Sequence, residues 1–244
     1  MVEKLITIHL DSVDSTNTYA KENHRQFHQE TITRITADAQ SKGRGRFKRE
    51  WVSPKGLNIY LTYYFTAEKN PMGVNNITQV LCLSIAKLLH REGLKPQIKW
   101  PNDILINQKK ISGILCETID LGETFGVALG AGLNVNMPQE LLDTIDQPAT
   151  SLQMETGKTY DKNALVKALD QFFLEDYTLY KREGFKPFYM CYDSLLTHKG
   201  MPITLHQNGE LLSGTLHSLN PDGRLNLLLP NGEIQTISSG EIKK

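Results

Sequence analysis

Between Leu57 and Asn134 the spacing of apolar residues changes from the period of a strand to that of a helix and back, which limits the folds open to the chain. Leu57 to Phe65 is β-branched and aromatic, and Asn75 to Glu92 carries Ile77, Val80, Leu81, Ile85, Leu88 and Leu89 at helical spacing. Short extended runs follow at Gln97 to Trp100, Ile104 to Asn107, Lys110 to Ile119 and Phe125 to Asn134, with turns at Asn107-Gln108 and Leu121-Gly122. A helix crossing a sheet, followed by a β-meander, predicts an α+β chain built on a mixed sheet flanked by helices.

The flanking segments extend this plan. Lys4 to Leu10 alternates as a strand, Asp14-Ser15-Thr16-Asn17 offers cap residues for a helix through about Phe27, and Thr31 to Ala37 is a second strand. Asn163 to Arg182 is a long amphipathic helix. From Met201 the chain alternates across Asn208-Gly209, Pro221-Asp222-Gly223 and Asn231-Gly232, three hairpin turns that predict a small separate barrel. The boundary falls in a compact connection near residues 184 to 200, which divides the chain into 1–190 and 191–244.

A chain of 244 residues with 39% hydrophobic residues has enough material for an ordinary globular core. Its 27 basic and 27 acidic residues cancel, which argues against the broad positive field of a general nucleic-acid binder. Cys82, Cys116 and Cys191 are far apart and lack CxxC spacing, so they suggest neither a disulfide framework nor a zinc site. No segment has the charged start and apolar run of a leader or the length of a membrane span, and a cytoplasmic protein is expected.

Chemistry concentrates in three places. In Gly43-Arg44-Gly45-Arg46 the glycines let the backbone approach a bound group, and two guanidiniums offer forked donors to phosphate or carboxylate oxygens. Phe47-Lys48-Arg49-Glu50-Trp51 adds charge and an indole that could stack on a base or seal the loop over a ligand. By itself this run also fits a solvated basic loop with a buried anchor tryptophan. In Lys99-Trp100-Pro101-Asn102-Asp103, Asn102 could bond an adenine or ribose and Asp103 a magnesium ion, or the pair could simply form an Asx turn. Lys110, three residues before Gly113, could reach a ligand lying over bare backbone. Gly130-Ala131-Gly132-Leu133-Asn134 ends an apolar strand in small residues and amides, without the spacing of a dinucleotide fingerprint or phosphate loop.

In order and spacing, these segments, with Asp14-Ser15-Thr16-Asn17, Gln40, Lys110-Ile111-Ser112-Gly113-Ile114-Leu115 and Thr150-Ser151-Leu152, resemble the biotin protein ligases. The resemblance implies a class II aminoacyl-tRNA synthetase-like catalytic fold followed by an SH3-like barrel. It also implies ATP-dependent, magnesium-activated conversion of biotin to biotinyl-5'-AMP, with transfer to one lysine of a biotin carboxyl carrier protein. By similarity, Ser15, Thr16, Asn17, Gln40, Arg44, Gly45, Arg46, Lys110 and Gly113 would bind biotin, with Arg46 and Lys110 catalytic. Trp51, Asn102, Ala131 and Asn134 would hold the nucleotide, and Asp103 the metal. The Ser-Thr-Asn motif arrives almost at the start of the sequence, so the DNA-reading winged helix of some members is not expected, nor is DNA binding. Phe47-Lys48 departs from the family pattern, which often continues with arginine and glycine. A second departure concerns Leu133 and Met137, where side-chain changes could tune the pocket. A lipoate or octanoate ligase or transferase and a non-catalytic biotin sensor are the other readings. An edge strand of the meander could pair with its copy in a homodimer or with the carrier.

Overall fold

The computed structural model describes residues 4–69, 71–207 and 209–243. The first sheet has seven strands: β1 (Leu5–Leu10), β2 (Ile32–Ala37), β3 (Ile59–Glu68), β4 (Gln97–Lys99), β5 (Asp103–Ile106), β6 (Lys109–Asp120) and β7 (Thr124–Leu133). Their spatial order is β1-β2-β3-β7-β6-β5-β4, with β1 and β2 parallel and every other pair antiparallel. The expected meander is therefore the half of the sheet from β4 to β7. Asn107 and Gln108 both have φ in the left-handed region, 49° and 65°, and form the two-residue turn joining β5 to β6.

Helices cover both faces. α1 (Thr16–Glu22) connects β1 to β2 and closes a small cluster of Ala20, Ile35, Tyr64 and Ala128. α2 (Pro71–Arg91) crosses the opposite face. After the short α3 (Gln139–Leu142) and α4 (Leu152–Thr156), α5 (Lys162–Glu183) packs beside it. Val80, Leu81, Ile85 and Leu88 of α2 meet Leu165, Leu169 and Phe173 of α5 over Leu61, Tyr63 and Phe65 of β3 in the main core. Because β3 is covered on both faces, it reads as a continuous apolar run rather than a clean alternation. The first helix is shorter than expected: it stops at Glu22, and a separate 3-10 turn spans His24–Gln26.

The connection after α5 is short. Gly184 ends the helix at φ 67°, and α6 (Tyr189–Leu195) leads to the second sheet. Its strands are β8 (Pro202–Gln207), β9 (Glu210–Leu219), β10 (Leu225–Leu228), β11 (Ile234–Ile237) and β12 (Glu241–Lys243), all antiparallel in the order β11-β10-β9-β8-β12. Among the described residues no pairing joins β11 to β12, so the sheet is not a hydrogen-bonded closed barrel. Of the expected hairpin turns, Asn208 lies outside the described residues; Gly209, Gly223 and Gly232 have φ between 84° and 88°. The Gly223 turn rests on α2. Its carbonyl accepts from Gln79 Nε2 at 2.8 Å and Trp100 Nε1 at 3.3 Å, and a Cβ there would lie 2.2 Å from Asn76 Nδ2. Ile203, Leu205, Leu216 and Leu227 of this sheet join the main core.

A polar group crosses that core. The Tyr63 hydroxyl donates to Asp170 Oδ1 at 2.8 Å, while Arg34 Nη1 donates to the other oxygen. Burial still raises the Asp170 carboxyl above its ordinary range, despite the lowering effect of Arg34 and Tyr63. Tyr63→Phe removes one donor from a buried carboxylate and is expected to cost roughly 1–3 kcal/mol, read as a lower urea midpoint with an unchanged slope.

Candidate functional site

A cleft of about 520 Å³ opens where the arginine loop crosses the ends of the central strands. Its lining gathers Ser15, Thr16, Asn17, Gln40, Arg44, Gly45, Arg46, Trp51, Asn102, Asp103, Lys110, Gly113 and Ala131. Asn134 is the one expected site residue outside that lining. It is buried, and its amide donates to the Thr150 carbonyl at 3.0 Å. Leu133 and Met137 are also buried outside the lining.

The floor depends on glycines. A Cβ at Gly132 would lie 2.3 Å from Trp51 Cε2, and one at Gly113 would lie 3.0 Å from Lys110 Cε and 3.1 Å from Trp51 Cζ3. The indole therefore lies flat on the backbone of β6 and β7 because those positions carry no side chain. Its Nε1 is buried without a hydrogen-bond partner, a donor directed at nothing within the described chain. Gly130 plays the same part for Asn17, whose Oδ1 would be 2.2 Å from a Cβ there. Gly43 is equally constrained, since a Cβ would meet Ser53 Oγ and the Trp51 carbonyl at 2.5 Å.

A polar pocket adjoins this floor. Gln40 Oε1 accepts from Thr16 N at 2.9 Å and Thr16 Oγ1 at 3.2 Å, while its Nε2 donates to Ser53 Oγ at 3.1 Å. Thr62 Oγ1 lies 2.6 Å from Asn17 Oδ1 and 2.8 Å from Thr16 Oγ1. Ser15 has the extended backbone of an N-cap but makes no side-chain capping bond, contrary to the expected dual role; its hydroxyl is not spent on α1.

The loop is a strained hairpin. Arg44 bridges to Glu50, and Gly45 N donates to the Arg49 carbonyl at 2.8 Å. At its tip Phe47 and Lys48 take φ of 56° and 59°, a region costly for residues with side chains. The family pattern often has glycine in this part of the loop. Arg46 Nη1 donates to Asn102 Oδ1 at 3.2 Å and to the Gly240 carbonyl at 3.0 Å, and Arg49 pairs with Glu241. The loop is thus tied to both sheets. Burial lowers the Arg46 pKa from its ordinary value, against the opposing charges of Asp103 and Glu241. Asn102, expected to meet a nucleotide, lines the cleft with its oxygen on Arg46 and its nitrogen on the Ile114 carbonyl at 2.8 Å.

Lys110 Nζ sits 2.8 Å from Asp103 Oδ1 and 5.4 Å from the Trp51 ring centroid. Asp103 is therefore paired with an ammonium. The one grouping of potential ligands close enough to share an ion among the described residues is His9, Asp11 and Asp38, outside the cleft.

Glu117, absent from the expected set, receives Lys21 Nζ at 2.7 Å, Asn17 Nδ2 at 3.0 Å and Arg44 Nη2 at 3.1 Å. It stands at two-residue steps from Gly113 and Leu115 on β6, so strand alternation puts it on the glycine face; that is the signal by which the sequence could have revealed it. Thr62 on β3 was hidden within an otherwise apolar strand. Burial alone would raise the Glu117 carboxyl, but Lys21, Asn17 and Arg44 outweigh it and hold the group below the usual carboxylate range.

Residues 10–134 match the model of the Biotin/lipoate A/B protein ligase family. The chain is 32% identical over 235 residues to the bifunctional ligase/repressor BirA of Salmonella typhimurium, covering 96% of this chain and 72% of that protein. It is 28% identical to the biotin-[acetyl-CoA-carboxylase] ligase of Paracoccus denitrificans, covering 85% of this chain and 88% of the other. Among solved structures, biotin protein ligase from Aquifex aeolicus in complex with biotin and ATP matches with a TM-score of 0.81 at 30% identity, over 98% of this chain and 97% of that one.

Two outcomes are expected. Gly132→Ala displaces the indole and should weaken nucleotide binding at least about tenfold while leaving the far-ultraviolet spectrum unchanged, as titration calorimetry with ATP would register. The stabilisation centred on Glu117 is complete above the ordinary carboxylate pKa and is lost as pH falls through the lower value of the folded chain. Urea midpoints of Glu117→Gln should accordingly fall less steeply on acidification than those of the wild type.

Proposed function

The chain belongs to the biotin/lipoate A/B protein ligase family, and we propose from that premise that the cleft carries out both half-reactions of an ATP-dependent biotin protein ligase. The observation that carries this reading is that all the site residues implied by the resemblance, Asn134 excepted, line one cleft. In the first step a biotin carboxylate oxygen bonds to the α-phosphorus of ATP and the bond to pyrophosphate breaks, giving biotinyl-5'-AMP. In the second, the amine of an acceptor lysine attacks the acyl carbon, and AMP leaves. We assign the acceptor to a biotin carboxyl carrier protein, the catalytic unit to residues 1–190 and the smaller unit to 191–244.

The residue types suit the chemistry. The neutral ureido head of biotin needs paired donors and acceptors once buried, which Ser15, Thr16, Asn17 and Gln40 provide. Two anions must then be brought together. Arg44, Arg46 and Lys110 offset their repulsion and the charge developing on phosphorus. Trp51 offers a flat face to the adenylate. Mg²⁺ with ATP would supply further positive charge at the phosphates. Asp103, a carboxylate in the cleft whose Oδ1 is paired with Lys110, would be the residue that holds it. No helix among the described residues is long and apolar enough to cross a membrane, and the requirement for ATP leads us to assign the enzyme to the cytoplasm. The first sheet ends in β1 and β4; Leu196 and Thr197 cover part of the β4 edge, which leaves β1 as the edge open to pairing with a second copy.

The test is magnesium-dependent pyrophosphate release with biotin, with lipoate and with neither, followed by the mass of an added carrier domain. Biotin-dependent release and a biotinyl mass gain are expected. Release with lipoate instead would move the substrate to the sister branch, and silence with tight biotin binding would make the chain a sensor. Lys110→Ala should slow adenylation by about a hundredfold or more while leaving biotin affinity nearly unchanged. Arg46→Gly should let the adenylate escape, seen as faster loss of biotinyl-5'-AMP from a single-turnover mixture; equal retention would exclude a gating role.

A further inference from the structure

Arg44 and Asn17 approach the cleft from different parts of the chain, the arginine loop and α1, yet both end on the same carboxylate. Glu117 Oε2 is 3.0 Å from Asn17 Nδ2 and 3.1 Å from Arg44 Nη2, and Oε1 is 2.7 Å from Lys21 Nζ and 3.2 Å from Arg44 Nη2. We propose that Glu117 is a positioning residue for adenylation, one that fixes the Arg44 guanidinium at the cleft and locks Asn17 onto β6. The role rests on the ligase reading and deepens it.

Three features support it. Both contacts from Arg44 use Nη2, which leaves the hydrogens of Nη1, and separately that of Nε, for an incoming anion. Two cations share one carboxylate, so the cluster keeps about one unit of positive charge facing the cleft, where an arginine paired singly would be neutralised. Asn17 is already pressed against Gly130, and its Nδ2 also donates to the Leu115 carbonyl at 3.1 Å, so Glu117 completes a fixed amide rather than attracting a loose one. Arg46 and Arg49 are tied to β12 instead, which makes Glu117 the anchor of the loop at its other end.

The experiment measures single-turnover biotinyl-5'-AMP formation by the full chain as wild type, E117Q, R44A, the E117Q/R44A double variant and K21M. Glutamine keeps an acceptor for Asn17 and loses the charge that orients Arg44. E117Q should therefore slow adenylation roughly tenfold, with much less change in biotin affinity. In the R44A background it should cause no further loss, because the residue acts through Arg44. K21M, which leaves the Glu117–Arg44 pair in place but removes the second cation on that carboxylate, should lose clearly less of the rate than E117Q does. A full rate in E117Q, losses that multiply in the double variant, or a K21M defect as large as that of E117Q would each overturn the proposal. If E117Q fails to fold, E117D takes its place in the same cycle, with the same absence of further loss in R44A expected. Wild-type chain without biotin-dependent pyrophosphate release would overturn the ligase reading and this role with it, whereas active wild type with fully active E117Q overturns the role alone.

Discussion

Bare backbone at Gly113, Gly130 and Gly132 is the constraint on which the site depends. Side chains at these positions would enter the space held by Lys110, Asn17 and Trp51, a Cβ at Gly130 coming within 2.2 Å of Asn17 Oδ1. The two strands carrying the glycines are paired in register, Gly113 opposite Gly132, so the gap in side-chain cover spans both β6 and β7. An indole, an amide and a lysine stem lie in that gap instead. The walls and charges of the cleft follow from it: Lys110 reaches Asp103 across the Trp51 ring, and Asn17 reaches Glu117 across β7.

Electrostatically, the cleft is arranged before any substrate enters. Arg44 is held by Glu117, Arg46 by Asn102 and the Gly240 carbonyl, Arg49 by Glu241 and Lys110 by Asp103. Such pairing limits the reorganisation that charge development on phosphorus would otherwise demand. It also joins the two sheets, since the carbonyl holding Arg46 belongs to Gly240, just before β12, and the carboxylate holding Arg49 to Glu241, its first residue. The C-terminal sheet therefore takes part in shaping the cleft, and its Gly223 turn, pinned by Gln79 and Trp100, sets the sheet against α2.

Most of the architecture was legible in the sequence because periodicity survives translation into strands and helices. The 57–134 alternation became β3, α2 and the meander with boundaries shifted by a few residues, and the α5 pattern was extended by one residue at each end. The short first helix was less legible, since Asn23 and the 3-10 turn after it interrupt an otherwise helical run. Ordered motifs located most of the cleft lining, though not Val52, Leu61, Glu241 or the run 144–147. Asn134, expected to hold the nucleotide, stands outside that lining with its amide on the Thr150 carbonyl, because an amide beside a glycine-rich strand end reads the same in sequence whether it faces a cleft or turns inward. Glu117 was missed for the opposite reason: a lone acid in a long strand reads as solvated, and its three partners lie at least 73 residues away in the chain.

The placing of Trp51 Nε1, buried by the chain itself against the bare backbone of Gly132, has a consequence for discrimination among ligands. With its single donor turned inward, the indole has only a ring face to present, and a ring face makes no directional bond. Any flat guest of similar area would satisfy it equally. Selection among aromatic guests thus falls to the amides and charges at the border of the cleft, and the ring itself is indifferent to which guest lies upon it.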